Sequence, residues 1–530
     1  METITCPRCR RPTTEAALSE THWASADVIA QLRAGKPHWN KDQGACAACV
    51  QEALLFILSK KGEESFAEGV QSVWPLDAEA AFGAIPTPLR MRSDPRFTGR
   101  GVTIAMLDSG FYPHPDLTQP VNRIKAWVDA GVEDVQVLRF GRDEQPAWPG
   151  WDAGEGHQWH GLMTSTTAAG NGHLSHGLYC SMAREADLVL IQVREPDGAI
   201  SNATIERGLR WLAENGRDLG VRVVSISVAG DPVEPIAGNP VDAAVETLVD
   251  LGMVVLAAAG NSGERSLVPP ATAPAALTIG GIDDNNTLSQ EDLDLWHSNY
   301  GLSAEGTIKP ELVAPSIWVV SPILPNTETA SAALRLFEQR AAGDESVERA
   351  IDDLKLVTPY YQHVDGTSFA TPIAASGVAC ILQSNPNLAP EAVRDILQAT
   401  AETLAGVPVE RQGHGVIDVS QAIALAVHLR RGARIDWQRS PQLLPEGILY
   451  ILEDDDATRV EVLGSWNDWQ APGLMATETA AGRWVAVQDR LPAGVYYYKF
   501  LIDGHRWLAD PSNRRRASDG ASGSNSVLVI

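Results

Sequence analysis

Residues 101–110 read GVTIAMLDSG, a short run rich in apolar side chains that closes on a carboxylate, a hydroxyl and a glycine. A run of this length fits a buried strand or a piece of buried helix, and its own periodicity does not separate the two. Its neighbours do. DLVLIQV (187–193), VRVVSISV (221–228), MVVLAAAG (253–260) and ALTIGGI (276–282) repeat the pattern, with the helix-like stretches ATIERGLRWLAENG (203–216) and NPVDAAVETLVDLG (239–252) between them. Strand-length apolar runs alternating with helices predict an α/β fold, a parallel sheet with helices on both faces.

In open α/β sheets catalytic groups collect beyond the carboxyl ends of the strands, and Asp108 stands at such an end. Downstream, GHQWHGLMTSTTAAG (156–170) offers His157 and His160, MVVLAAAGNSG delivers Asn261 at another strand end, and VDGTSFATP (364–372) carries Ser368 where a loop meets an apolar helix. Each has an innocent reading alone: Asp108 as a turn former, His160 as a core group, Asn261 as a loop former, Ser368 as a helix cap. The nucleophile-elbow template G-x-S-x-G fails here, because Ala370 follows Phe369. A nucleophilic serine needs a base and an orienting acid, and an amide can donate to a developing oxyanion. Aspartate, histidine, asparagine and serine supply those four roles.

In this order and these contexts the segments resemble the subtilisin-like serine peptidases, the subtilases. IAMLDSGFYPH (104–114) and GTSFATP (366–372) fit the family pattern closely, and SNYG (298–301), KPELVAPS (309–316) and GHGVIDV (413–419) are further markers. The resemblance covers residues 96–430 and implies a subtilisin-like sheet and a serine endopeptidase. It also implies that Asp108 orients His160, that His160 takes the proton of Ser368, and that the Asn261 amide and the Ser368 N–H hold the oxyanion. His160 is preferred to His157 because Gly161 follows it. Leu162 departs from a small hydroxyl residue, and Ser376 from Gly or Ala, which bears on packing more than on chemistry.

By the same resemblance Ser227, Val228, Ala229 and Gly230 form an edge that pairs with the substrate backbone. Ala258 and Gly260, within AAAG (257–260), line the pocket for the side chain before the cut. Ala229 in place of glycine predicts a preference for small or slender residues there. Calcium follows from the family, but no acidic loop has a spacing that identifies a site.

The 530 residues allow about three or four domains. Lys and Arg number 42 against 67 Asp and Glu, a net charge of -25 that argues against nucleic acid or an anionic membrane as the main partner. Neither a signal peptide nor a membrane span is indicated, so the expected location is cytoplasmic. The expected organisation is a four-cysteine module over 1–60, a linker or prosegment-like region over 61–95, where clipping near 75–98 would activate, the catalytic domain over 96–430, a linker over 431–444 and a separate all-β domain over 445–530. Within 326–356, ALRLFEQRAAGDESVERAIDDLKL (333–356) predicts a charged helical hairpin over the active-site side, a surface decoration or else a lid.

At the N-terminus, Cys6-x-x-Cys9 and Cys46-x-x-Cys49 supply four thiolates in two knuckles, the ligand set of a closed structural zinc site. His22 and His38 lie between the pairs and are not needed to complete it. The tail, with GSWNDW, LPAGVYYYKFLIDG, DPSN and NSVLVI in register, resembles the glycogen-binding module of AMP-activated kinase beta subunits and of starch-branching and debranching enzymes. That resemblance implies an immunoglobulin-like (E-set) sandwich that grips an α-glucan such as glycogen with Trp469, Trp507, Lys499 and Asn525. The expected function is therefore a serine endopeptidase acting on a protein or peptide substrate, with accessory modules that target it or bind a regulatory protein partner. The rival is a binding or scaffold protein whose protease domain is inactive or occluded.

Overall fold

A computed structural model describes residues 3–530 apart from 15–17, 20, 23, 62–65, 75–81, 152–155, 234–237, 290–291, 304, 405, 431–438, 445–446, 481, 490, 493 and 521–522. Strand β1 (Thr103–Asp108) runs through the middle of a sheet, and all six of its residues are buried. Its side chains divide by parity: Ile104 and Met106 enter one apolar cluster, Ala105 and Leu107 another. A strand covered on both faces produces this alternation.

The other strands are β2 (Ile124–Asp129), β3 (Gln136–Arg139), β4 (Asp187–Gln192), β5 (Val221–Ile226), β6 (Val254–Ala258), β7 (Leu277–Asp283), β8 (Asp294–Leu295) and β9 (Leu312–Pro315). They lie in the order β8-β7-β6-β5-β1-β4-β2-β3, with β9 also paired to β7. All of these pairings are parallel except β7 with β8 and β2 with β3. The α/β reading of the apolar runs holds.

Helices α1 (Gln158–Ala169), α2 (Asn202–Asn215) and α3 (Pro240–Asp250) follow strands in the manner of crossover connections. Ser201 and Thr204 close a capping box on α2, and Asn239 caps α3 ahead of Pro240. Both satisfy N–H groups left orphaned at a helix start. Leu209 and Leu212 of α2 and Val241 and Val245 of α3 fill the Ala105 face. In the insertion, α4 (Glu328–Ala341) and α5 (Glu348–Asp353) form the expected helical hairpin around Ala333, Leu336, Val347 and Ile351. Strand Tyr361–Val364 pairs with Val319–Pro322 and Leu356–Thr358, which bracket this hairpin, and it leads straight to Gly366.

Helix α6 (Thr367–Ser384) is apolar on all sides and buried against the Ile104 face, together with α1, α7 (Pro390–Thr400) and α8 (Val419–Arg430). Gly366, at φ 133°, occupies its cap position and Ser368 lies within its first turn. Ser368 therefore sits at the helix start as expected, and the cap is Gly366. Pro372 sits inside α6 and has no N–H to give the carbonyl of Ser368 four residues back. Ser227 Oγ donates to that carbonyl instead, at 2.9 Å.

The N-terminal region builds its own core from Val28, Leu32, Val50, Leu54 and Trp74, with Cys6, Cys46 and Cys49 among them. The stretch read as a linker or prosegment-like region is docked over its described part. Ile85 and Leu89 are buried, and the Arg90 guanidinium grips both carboxylate oxygens of Asp284 at 2.6 Å. Residues 75–81 and 431–438, parts of the two expected linkers, lie outside the described residues.

The tail is all-β and antiparallel. Its strands are β10 (Gly447–Glu453), β11 (Val460–Gly464), β12 (Leu474–Ala480), β13 (Arg483–Asp489), β14 (Val495–Ile502), β15 (Arg506–Leu508), β16 (Arg516–Ser518) and β17 (Ser524–Val529). Ile448, Tyr450 and Leu452 of β10 point into the tail's own core with Val460, Val462, Phe500 and Ile502. Leu449 and Ile451, on the opposite face, join Val485 in the cluster that contains Ile396, Leu397 and Leu425 of α7 and α8. Thr477 Oγ1 adds a buried hydrogen bond to the carbonyl of Ala401 at 2.9 Å.

Candidate active site

Asp108, the last residue of β1, is fully buried. Its Oδ1 meets His160 Nδ1 at 2.7 Å and accepts the Ser109 N–H at 2.7 Å, while Oδ2 accepts from Thr164 Oγ1 at 2.7 Å. Thr164 stands one helical turn after His160, so one face of α1 supplies both partners. Gly161 explains how the helix comes so near the strand end: a Cβ there would lie 1.9 Å from the Gly110 carbonyl oxygen. His157 precedes α1, and its carbonyl accepts from Ser109 Oγ at 3.2 Å.

Two effects act on the imidazole. Burial disfavours its charged form, but the charge and hydrogen bond of Asp108 together outweigh burial, and the His160 pKa is raised above its ordinary value. The Phe369 ring lies 5.7 Å away, centroid to centroid, and Phe369 is the residue after Ser368. The Ser368 hydroxyl donates to the carbonyl of Ser227 at 3.3 Å.

Asn261 follows the end of β6, and its Oδ1 accepts from Thr367 N at 3.0 Å and Thr367 Oγ1 at 2.8 Å. The Thr367 hydroxyl in turn accepts the Gly260 N–H at 3.1 Å. With the amide oxygen so held, Nδ2 lies 3.4 Å from the place a Cβ would take on Gly366, and Ser368 N lies 3.8 Å from the same point. Two N–H donors therefore flank the small space that Gly366 leaves open.

Beyond β5 the chain continues as Ser227-Val228-Ala229-Gly230. Among the described residues none bonds the main chain of Val228 or Ala229, so this edge is open to pairing. Gly230 leaves room for the Asn202 side chain, whose Oδ1 would lie 1.8 Å from a Cβ there. Across from it, Ala258 ends β6 and Gly260 turns at φ 103°, where a Cβ would sit 2.7 Å from Asn299 Nδ2. Asn299, of the SNYG marker, holds that loop through Ser262 N and the carbonyl of Ser266. The departures Leu162 and Ser376 are both buried, and Ser376 Oγ accepts the Ala183 N–H at 2.7 Å.

Sequence reasoning missed Thr164, Thr367 and the second use of Ser227. The first two carry a faint signal, a hydroxyl one turn after the histidine and one directly before the serine. Ser227 carries none, because it serves a carbonyl 141 residues away.

The four thiols of Cys6, Cys9, Cys46 and Cys49 lie within 4.8 Å of one another. Cys9 to Cys46 is 3.8 Å and Cys46 to Cys49 is 3.6 Å. Those separations match the edge of about 3.8 Å of a tetrahedron with metal–sulfur bonds of about 2.3 Å. Hydrogen bonds from Cys46 and Cys49 pull the Cys9 thiol down to about 6, while those from Cys46, Cys6 and Cys9 drive Cys49 up. Four sulfur atoms placed in this way could hold one metal ion.

In the tail Trp469 and Trp507 meet edge to face at 6.1 Å, and Trp507 is 46% exposed. Trp507 pairs with Leu501 in the β14–β15 ladder, and the β14–β17 ladder ends at Tyr498 with Ser526, the residues next to Lys499 and Asn525. Lys499 and Leu501 share the face of β14 that points away from the tail core. Lys499 Nζ is bound to Asp519 Oδ2 at 2.8 Å. Trp507, Lys499 and Asn525 therefore share an outer face, with Trp469 against Trp507.

Comparison with known proteins bears on both regions. The profile described as the subtilase family matches residues 99–415, and one described as the glycogen recognition site of AMP-activated protein kinase matches residues 452–529. Serine protease AprX of Bacillus subtilis (strain 168) is 30% identical over 341 residues, 63% of this chain and 68% of that protein. Subtilisin BL of Lederbergia lenta is 26% identical over 325 residues, 61% of this chain and 91% of that protein. Among solved structures, Sphericase aligns with a TM-score of 0.44 at 21% identity over 60% of this chain and 92% of its own.

Proposed function

The chain belongs to the subtilase family and is a serine endopeptidase, and from that premise we propose that Ser368 is its nucleophile, His160 the general base, Asp108 the orienting acid and Asn261 an oxyanion donor. The observation that carries this is the chain of bonds from buried Asp108 to His160, with Asn261 fixed by Thr367 beside the Ser368 N–H. For attack, the Ser368 hydroxyl turns from the Ser227 carbonyl to His160 Nε2, gives up its proton there and adds to the peptide carbonyl. The tetrahedral oxyanion is then held by Asn261 Nδ2 and Ser368 N. His160 returns the proton to the leaving amine, and water, activated by the same imidazole, hydrolyses the acyl-enzyme. The substrate backbone pairs with Ser227–Gly230, and the side chain before the cut enters between that edge and Ala258–Gly260, where Ala229 favours a small residue. A fluorophosphonate probe tests the assignment: it labels the wild-type chain and leaves Ser368→Ala unlabelled. Labelling of that variant to the wild-type level would overturn it.

Cys6, Cys9, Cys46 and Cys49 would hold one structural zinc ion, which would supply cohesion to a small core and no chemistry to the cleavage. Support comes from the thiol separations and from N–H groups aimed at sulfur, such as Cys46 N to Cys6 Sγ at 3.4 Å. The tail is read as an E-set sandwich that binds an α-glucan through Trp469, Trp507, Lys499 and Asn525. Indole faces suit the C–H faces of glucose rings, and the ammonium and amide reach hydroxyls. This supports a protease that works at a glucan surface, in a cytoplasmic setting where reduced thiols persist. The division into modules at 1–60, 96–430 and 445–530 belongs to this reading.

A further inference from the structure

His160 has aromatic neighbours on two sides. Phe369 is buried, whereas Trp159 meets the imidazole edge-on at 5.2 Å and 88° and is 45% exposed. Exposure of one tryptophan means little by itself. Its position gives it meaning. Gln158 beside it is buried with its amide on the Gly150 carbonyl, and the Trp159 backbone N–H goes to the Gly156 carbonyl at 3.3 Å, so the first turn of α1 that carries the indole is tied down. The His160 side chain is only 21% exposed, and its Nδ1 is taken by Asp108. The ring nitrogen left for the substrate is Nε2, which must meet the leaving nitrogen of the peptide. A peptide whose carbonyl lies on Ser368 therefore carries the side chains next to its scissile bond past an indole 5.2 Å from the imidazole.

We propose that Trp159 walls a subsite for a large apolar or aromatic side chain flanking the scissile bond, and so sets specificity at a position distinct from the pocket bounded by Ala229. The inference rests on the assignment of His160 and Ser368 given above. Covering a half-exposed indole with an apolar side chain removes water from both, and one well-placed apolar contact discriminates between substrates by about tenfold or more.

The test uses internally quenched peptides with Ala, Leu, Phe or Arg at each of the two positions on either side of the cut, given to the full chain and its variants. Wild type is expected to favour Leu and Phe over Ala at one position by about tenfold in kcat/KM. Trp159→Ala collapses that ratio to about one at that position alone, Trp159→Phe keeps it, and Trp159→Glu turns the preference toward Arg. The acid limb of the pH profile stays in place in Trp159→Ala and Trp159→Phe, whereas the new carboxylate of Trp159→Glu moves it upward. Unchanged ratios in Trp159→Ala and Trp159→Glu would overturn the proposal. So would an equal loss for every peptide with a displaced acid limb, which would make Trp159 a positioning residue for His160. A wild-type chain that fails to react with the fluorophosphonate probe would strike the triad assignment instead, which separates the two failures.

Discussion

Both oxygens of Asp108 are occupied, one by His160 and the Ser109 N–H and the other by Thr164, so the imidazole is set in a single orientation before substrate arrives. The raised His160 pKa has opposite consequences for folding and for catalysis. A group whose folded pKa exceeds its unfolded value stabilises the fold fully below the unfolded value and loses that contribution as pH rises through the folded one. Catalysis needs the neutral ring, so kcat/KM rises through that same folded pKa. We expect the acid limb of kcat/KM, and of the fluorophosphonate labelling rate, above the ordinary histidine value of about 6.5; a limb at or below it would contradict the Asp108 coupling. Asn261→Ala is expected to lower kcat by about 10² to 10³ with the fold intact, the usual cost of one oxyanion donor. An unchanged kcat would mean that the oxyanion is held elsewhere. The pairing of His160 with Asp108 was legible because Gly161 follows that histidine, and the structure shows the glycine letting the helix approach the strand end. Trp159 was not, since one tryptophan among 15 carries no mark of lying at a cleft rim.

At the scale of elements, the strands were legible because burial on both faces removes polar residues from whole runs, whatever lies next to them in space. The junction of β5 with α6 was not, because it joins distant parts of the chain through a carbonyl. Pro372 strips that carbonyl of its helical partner, and Ser227 supplies the replacement. Ser227→Ala is therefore expected to cost about 1–3 kcal/mol of stability, the price of one orphaned polar group, in addition to any effect on substrate. Pro372→Ala in the same chain returns an N–H to the Ser368 carbonyl. Chemical denaturation should show the double variant recovering part of what Ser227→Ala loses; no recovery would mean that the serine acts by packing alone. The stretch 82–91 falls in the segment expected to be a linker or a prosegment-like region. Its prolines read as a loose connection, but Arg90 on Asp284 and buried Leu89 bind it to the central sheet's loops. At the cysteine cluster, reduced protein is expected to carry about one zinc per chain and to lose it in the Cys6→Ser, Cys49→Ser variant. Elemental analysis decides this, and metal-free protein purified under reducing conditions would refute it.

Across the whole molecule, the tail packs directly against the catalytic region, and Leu444 of the segment before it joins the same cluster. One face of β10 and β13, through Leu449, Ile451 and Val485, lies in the same apolar cluster as Ile396, Leu397 and Leu425. The layers run from helices α7 and α8 through strands β10 and β13 and the tail core to strands β14 and β17 of the same sheet, which leaves the Trp507–Lys499 face on the side away from the protease. An isolated tail would bare Leu449 and Ile451, and a truncated protease would bare Leu397 and Leu425, so neither fragment is a sound test of sugar binding. The full chain carrying Ser368→Ala, which cannot digest itself, is the proper one. It is expected to sediment with glycogen and to bind a cyclic maltooligosaccharide weakly, and both are lost when Trp469 and Trp507 are changed to alanine, since the sugar-stacking faces go while the inner sheet stays. Melting temperature is the control: it should be nearly unchanged in the double tryptophan variant and clearly lower in Leu449→Ala, where a buried contact between tail and protease becomes a cavity of about 2–5 kcal/mol. A folded full-length chain that ignores glycogen at millimolar sugar would leave the outer face of β14 and β17 as a protein-docking surface and would remove the glucan from the proposed function.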